Sequence, residues 1–113
     1  MKLNSQIIEE VLKGTKPKDY NTQADRWFEF LSSKITFPFD AVVLHTESSG
    51  LSFGDIVSVK KIDNLIDMYG LLVEIRKGRK KYIFPICDLE VLDKKSENYL
   101  LFDAFLEWWM EHN

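Results

Sequence analysis

Cysteine occurs once in the 113 residues, as Cys87, so the chain can form neither an internal disulfide nor a thiolate zinc cluster. That scarcity makes a cytosolic setting the simplest expectation, with Cys87 itself a small buried hydrophobe between Ile86 and Asp88. Histidine occurs only as His45 and His112, neither of them spaced with Ser, Cys or Asp in a local catalytic motif, and there is no G-x-S-x-G. The five glycines are scattered singly, which excludes a Gly-rich phosphate loop. No apolar run exceeds a few residues, so no membrane-spanning helix is expected. The opening MKLNSQIIEE has no extended apolar stretch of the secretory kind and turns acidic by Glu9. Charge of either sign is not in large excess: the net value is -3, which weighs against a dedicated nucleic-acid protein, whose affinity comes from cations neutralising phosphates.

What is present is apolar material: 45% of residues are hydrophobic and 13% aromatic, enough for one core and too little chain for two. Three segments carry helical spacing. Ile7, Ile8, Val11 and Leu12 share a face, with Asn4 or Ser5 as cap and Gly14 as stop. Ala24, Trp27, Phe28 and Leu31 form a second stripe in a helix expected to start near Thr22. Leu101, Ala104, Phe105 and Trp108 form a third, with Ser96 as cap; Phe102, Leu106 and Trp109 widen its apolar arc. Between them the period becomes strand-like, over Phe37 to Leu44, Gly54 to Lys60, Gly70 to Arg76, Lys81 to Phe84 and Leu89 to Leu92. Lys77-Gly78-Arg79 reads as a tight hairpin turn. These elements predict an α+β fold, a small five-stranded SH3-like β-barrel flanked by N-terminal helices and a C-terminal helix. Residues 1–20 read as a helical extension and linker ahead of a domain over 21–113.

With no catalytic constellation, binding is the expected activity and an enzyme is not expected. Carboxylates are the most informative groups. In Phe37-Pro38-Phe39-Asp40-Ala41-Val42, period two puts Phe39, Ala41 and Val43 on one face and Asp40 on the other. Asp88 and Glu90 likewise share a face opposite Leu89 and Val91. Asp63, Asn64 and Asp67 are expected in the loop after the second strand. Hard cations take several oxygen ligands, so a site forms if the fold brings such groups together. The alternative is that each acid faces solvent or pairs with a lysine, and the residues alone leave both open. Asp63, Asp67 and Glu74 fall at positions 1, 5 and 12 of a would-be EF-hand loop, but Met68 stands where glycine is needed and no helices flank it, so this is not an EF-hand. The basic cluster Lys77, Arg79, Lys80 and Lys81 reads as a solvated hairpin tip. The competing reading is a metal-free SH3-like module that holds a protein or nucleic acid there.

A dispersed set of segments resembles the small prokaryotic calcium-binding proteins of the CcbP type: Trp27 with Phe30-Leu31-Ser32, Phe37-Pro38-Phe39-Asp40-Ala41, and Gly54-Asp55-Ile56-Val57-Ser58-Val59. It continues with Tyr69-Gly70-Leu71-Leu72-Val73, Arg79-Lys80-Lys81-Tyr82-Ile83, Pro85-Ile86-Cys87-Asp88-Leu89-Glu90, and Leu101 to Trp108 with Asp103. The resemblance implies a calcium ion (Ca2+) as ligand and a role as buffer or modulator of intracellular calcium signalling. It directs attention to Asp40 first, Asp88 and Glu90 next, and Asp63 and Asp67 as outer candidates. Neither a membrane nor nucleic acid is an expected partner, and no protein partner is specified.

Overall fold

Helix α1 (Asn4–Leu12) lays Ile7 and Val11 into the core, as the spacing of its apolar residues requires. Helix α2 (Tyr20–Lys34) follows, capped by Asp19, whose carboxylate accepts from the Thr22 backbone N–H and hydroxyl. Thr22, expected to be the cap, is thus three residues inside, its own N–H being the orphan amide that Asp19 satisfies. The computed structural model describes residues 4–66 and 70–111. Strands β1 (Phe39–Val43), β2 (Ile56–Ile66), β3 (Gly70–Lys77), β4 (Lys80–Pro85) and β5 (Leu89–Val91) form one antiparallel sheet in the order β4-β3-β2-β1-β5, and α3 (Glu97–Glu111) closes the chain. Among the described residues no helix is long and apolar enough to cross a membrane.

One face of the sheet is apolar. Ala41, Val43, Val57, Val59, Leu71, Val73, Ile75, Phe84, Leu89 and Val91 are buried together with Trp27, Leu31, Phe102, Phe105 and Trp108 from the helices. Aromatic rings dominate the helix side: Trp27 meets Phe105 edge-on at 5.6 Å and tilts against Trp108 at 5.9 Å. Gln23 is buried but fully used. Its Oε1 accepts from the Trp108 indole N–H at 3.1 Å and its Nε2 donates to the Lys16 carbonyl at 2.8 Å, so both ends of the amide are paired. Asn98 works the same way, giving and taking one bond each with the Thr36 backbone, which pins α3 to the segment that leads into β1.

The closed SH3-like barrel is not what forms. The sheet is open, with β4 and β5 at its two edges. A one-turn 3-10 helix (Ile86–Asp88), packed against β3, carries the chain from β4 across to the far edge. There β5 is only three residues long and pairs with β1, too short to zip onto β4 as well. The fold is α+β with three helices and an open antiparallel sheet.

Candidate metal centre on the open sheet face

Asp40 owes its position to its neighbours. Phe39 packs on Phe102 with ring centroids 5.6 Å apart, and Ala41 is fully buried, so the alternation of β1 turns Asp40 out to solvent. Opposite Asp40 on β2 stands Ser58, and Ser58 in turn faces Arg76 on β3. On the other side β5 pairs Val42 with Glu90, and the Leu92 N–H donates to the Asp40 carbonyl at 3.0 Å. Glu90 is therefore the diagonal neighbour of Asp40 on the same face, at a Cα separation of roughly 7–8 Å. Two carboxylates fifty positions apart in the chain are brought side by side by one short strand pairing, with the Ser58 hydroxyl adjacent.

The other sequence candidates fare differently. Asp88 lies in the 3-10 turn and not in the strand. Its carbonyl accepts from the Leu44 and His45 N–H groups, and its carboxylate receives the Cys87 S–H at 3.9 Å. Burial, and then the charge of Asp88, push the Cys87 thiol above its ordinary range. Asp63 and Asn64 are in β2, which runs to Ile66; they were expected in a loop. Register shifts between Val59/Lys61 and between Ile62/Asn64 hide the strand by breaking its period of two. Asp67 lies outside the described residues. Glu74 sits within β3 beside Lys81 at 3.5 Å.

Glu90 is already engaged: Lys94 Nζ stands 3.2 Å from its Oε1. Glu90 also lines a cleft of about 120 Å³ with Cys87 and Asp103, and Asp103 accepts from the Asn4 side-chain amide at 2.8 Å. Asp103 was no site candidate in the sequence, because nothing local along α3 shows that it comes near β5. Another cleft, about 630 Å³ between α1, α2 and the start of α3, carries Lys34, Lys94 and Lys95 against Glu10 and Glu97. Its cationic balance makes it a poor seat for a cation.

The basic hairpin is largely self-satisfied. Lys77 Nζ donates to Asp55 at 2.7 Å, Lys81 pairs with Glu74, and Lys80 lies over the Tyr82 ring. With the Ser52 backbone N–H added, the Lys77 bond holds the Asp55 carboxyl below the usual carboxylate range. These contacts fasten the loop before β2 to the hairpin.

Calcium asks for six to eight oxygens. Among the described residues no three His, Cys, Asp or Glu side chains gather closely enough to hold a metal ion. What the face offers is two carboxylates, a hydroxyl and open access for water, which fits a hydrated surface site and not an enclosed cage.

Fold and site together define a small α+β domain that presents oxygen donors on the solvent side of an open antiparallel sheet. The chain belongs to the CcbP-type family of calcium-binding proteins: the family's sequence pattern, described as calcium binding, matches residues 6–110. Calcium is the ion of that family. A solved structure, the crystal structure of Anabaena CcbP, is similar with a TM-score of 0.68 and 18% identity over 91% of this chain and 89% of that one; at that identity it speaks for the fold. No curated protein matches the chain.

Proposed function

We propose that this protein buffers or modulates intracellular calcium, holding the ion on the open sheet face through the carboxylates of Asp40 and Glu90. The observation that carries this reading is the β1–β5 pairing, which sets these two acids at diagonal positions on one face. Ser58 and water complete the oxygen set. Asp88, one turn before β5, is the third candidate, and Asp63 and Asp67 are the outer ones. A site with two charges and much water belongs at the weak end of calcium affinities, on the order of 10⁻⁴–10⁻³ M. Weak binding and fast release suit a buffer that follows rises in concentration.

Calorimetric titration of the chelator-stripped protein tests this. Calcium should bind in that range, and Asp40→Asn should weaken it at least tenfold while leaving the circular dichroism spectrum intact. No binding heat up to about 10 mM calcium, well beyond that range, would sink the proposal.

A further inference from the structure

The sheet face turned away from the helices carries Asp40, Ser58, Glu74, Arg76, Lys81 and Glu90, but it is not wholly polar. An antiparallel sheet can leave one side to water, and that side is then normally polar. Here Ile56 is 57% exposed, Ile83 45% and Leu92 45%, and the strand alternation puts all three, with half-buried Val42, on the same outer surface. Of these, Val42 and Ile56 stand directly opposite each other and form the apolar centre of the face.

Its charges are sorted as well. A single cross-strand row runs Asp40, Ser58, Arg76, Lys81 from β1 to β4, with Leu92 beyond Asp40 and Glu90 diagonal to it beside Val42. Asp40 and Glu90 lie toward one end and Arg76 and Lys81 toward the other, where Glu74 already pairs with Lys81, and Ile56 is on the central strand β2 between them. A second copy of the same face, turned by a two-fold axis that runs along β2, brings Asp40 over Arg76 of the other copy. Ile56 then meets its own counterpart near the axis, and Leu92 comes to the Lys81–Ile83 strand. Such self-complementarity is what a two-fold interface requires.

From this match of charge and apolar surface we infer that the open sheet face docks a second copy of this chain. The proposal is independent of calcium. Five strands at about 4.8 Å spacing and strands of some 20 Å give a footprint of roughly 400–500 Å² per copy. That is below the ~800 Å² per partner of a standard interface, so the dimer is a transient one. Its charge pairs are open to solvent and weaken with salt.

Sedimentation equilibrium on the full chain in chelator, from about 10 µM to 1 mM, tests it. The average mass should climb toward twice the monomer mass as concentration rises. Ile56→Glu should abolish the climb, and Asp40→Arg or Arg76→Asp alone should weaken it at least tenfold. The double variant Asp40→Arg with Arg76→Asp should restore it, since each new pair again has opposite signs; circular dichroism confirms that every variant is folded. A monomer across the whole range, a dimer indifferent to Ile56→Glu, or a double variant as weak as the singles would each overturn the inference. Because calcium is withheld throughout, such a failure leaves the calcium proposal standing.

Discussion

Lys94 and Glu90 form an ion pair across one turn of chain, Nζ to Oε1 3.2 Å, on the carboxylate that β5 sets beside Asp40. Calcium and Lys94 therefore ask for the same oxygens. An exposed pair of this kind contributes about 0.2–1 kcal/mol, which is the cost an arriving ion must meet. Lys94→Met should tighten calcium binding by up to about fivefold, the factor that 1 kcal/mol represents at 25 °C. Calorimetry on the two proteins side by side measures it; an unchanged affinity would mean that Glu90 is not a ligand.

Gly50 occupies a position no other residue can take without cost. Its φ of +90° is in the left-handed region, and a Cβ there would stand 2.6 Å from the Tyr82 hydroxyl oxygen, which itself donates to the Ser49 carbonyl. Gly50→Ala should destabilise the protein by about 1–2 kcal/mol from the backbone alone, and more from the clash. Adding Tyr82→Phe removes the offending oxygen, so the double variant should recover part of the loss. Urea unfolding of the four proteins in the cycle reads the coupling directly.

How far this architecture could be read from the chain depends on the range of the forces involved. The outward turn of Asp40 was legible, because Phe39, Ala41 and Val43 alternate around it, and so was the α2 stripe of Ala24, Trp27 and Leu31. The tight turn at Gly78 and Arg79 was visible too; Lys77 and Lys80 pair directly across it. The neighbourhood of Asp40 was not. Ser58 and Glu90 reach it through pairings set by tertiary packing, and β2 runs on past Lys60 through two irregularities that erase its period. The open edge was hidden for a similar reason. Five short strands suggest closure, but nothing local says that Ile86–Asp88 will form a turn that carries the chain away from β4.

Trp108 and Gln23 make the most exacting polar contact in the core. Trp108→Phe removes ring volume and leaves the buried Gln23 Oε1 without the indole N–H that it accepts from. Cavity and desolvation together should cost about 2–4 kcal/mol. The urea midpoint should fall with an unchanged slope, since the surface exposed on unfolding is nearly the same.

Asp55 gives stability a pH dependence of known sign. Its folded carboxyl lies below the ordinary value of 3.8, chiefly through the Lys77 bond and then the Ser52 N–H. A depressed folded value means that the unfolded chain takes up the proton first. The stabilisation is therefore present above about pH 4 and lost as pH falls through the folded value. Asp55→Asn should be less stable than the parent at pH 6, and the difference should shrink toward zero near pH 2. Thermal unfolding at both pH values checks this, and a difference that grows on acidification would contradict the assignment.

The two proposals meet at Asp40, which calcium and a second copy cannot use at once. A divalent ion bound there cancels the two negative charges at the acidic end of the face, so that Arg76 of the other copy loses the attraction that had held it. Binding that is exclusive in this way is reciprocal: calcium lowers self-association by the same factor by which self-association lowers calcium affinity. Sedimentation of the chain at a concentration where the dimer is populated should show the average mass falling as calcium is added. Magnesium, which gives up its water reluctantly and suits a loose two-carboxylate site poorly, should do so far less at equal ionic strength. The reciprocal arm is calorimetric, with apparent calcium affinity highest in dilute protein and falling as concentration rises. Calcium that binds in the calorimeter while the dimer persists would place the ion away from Asp40 and Glu90 and break the link between the two sites.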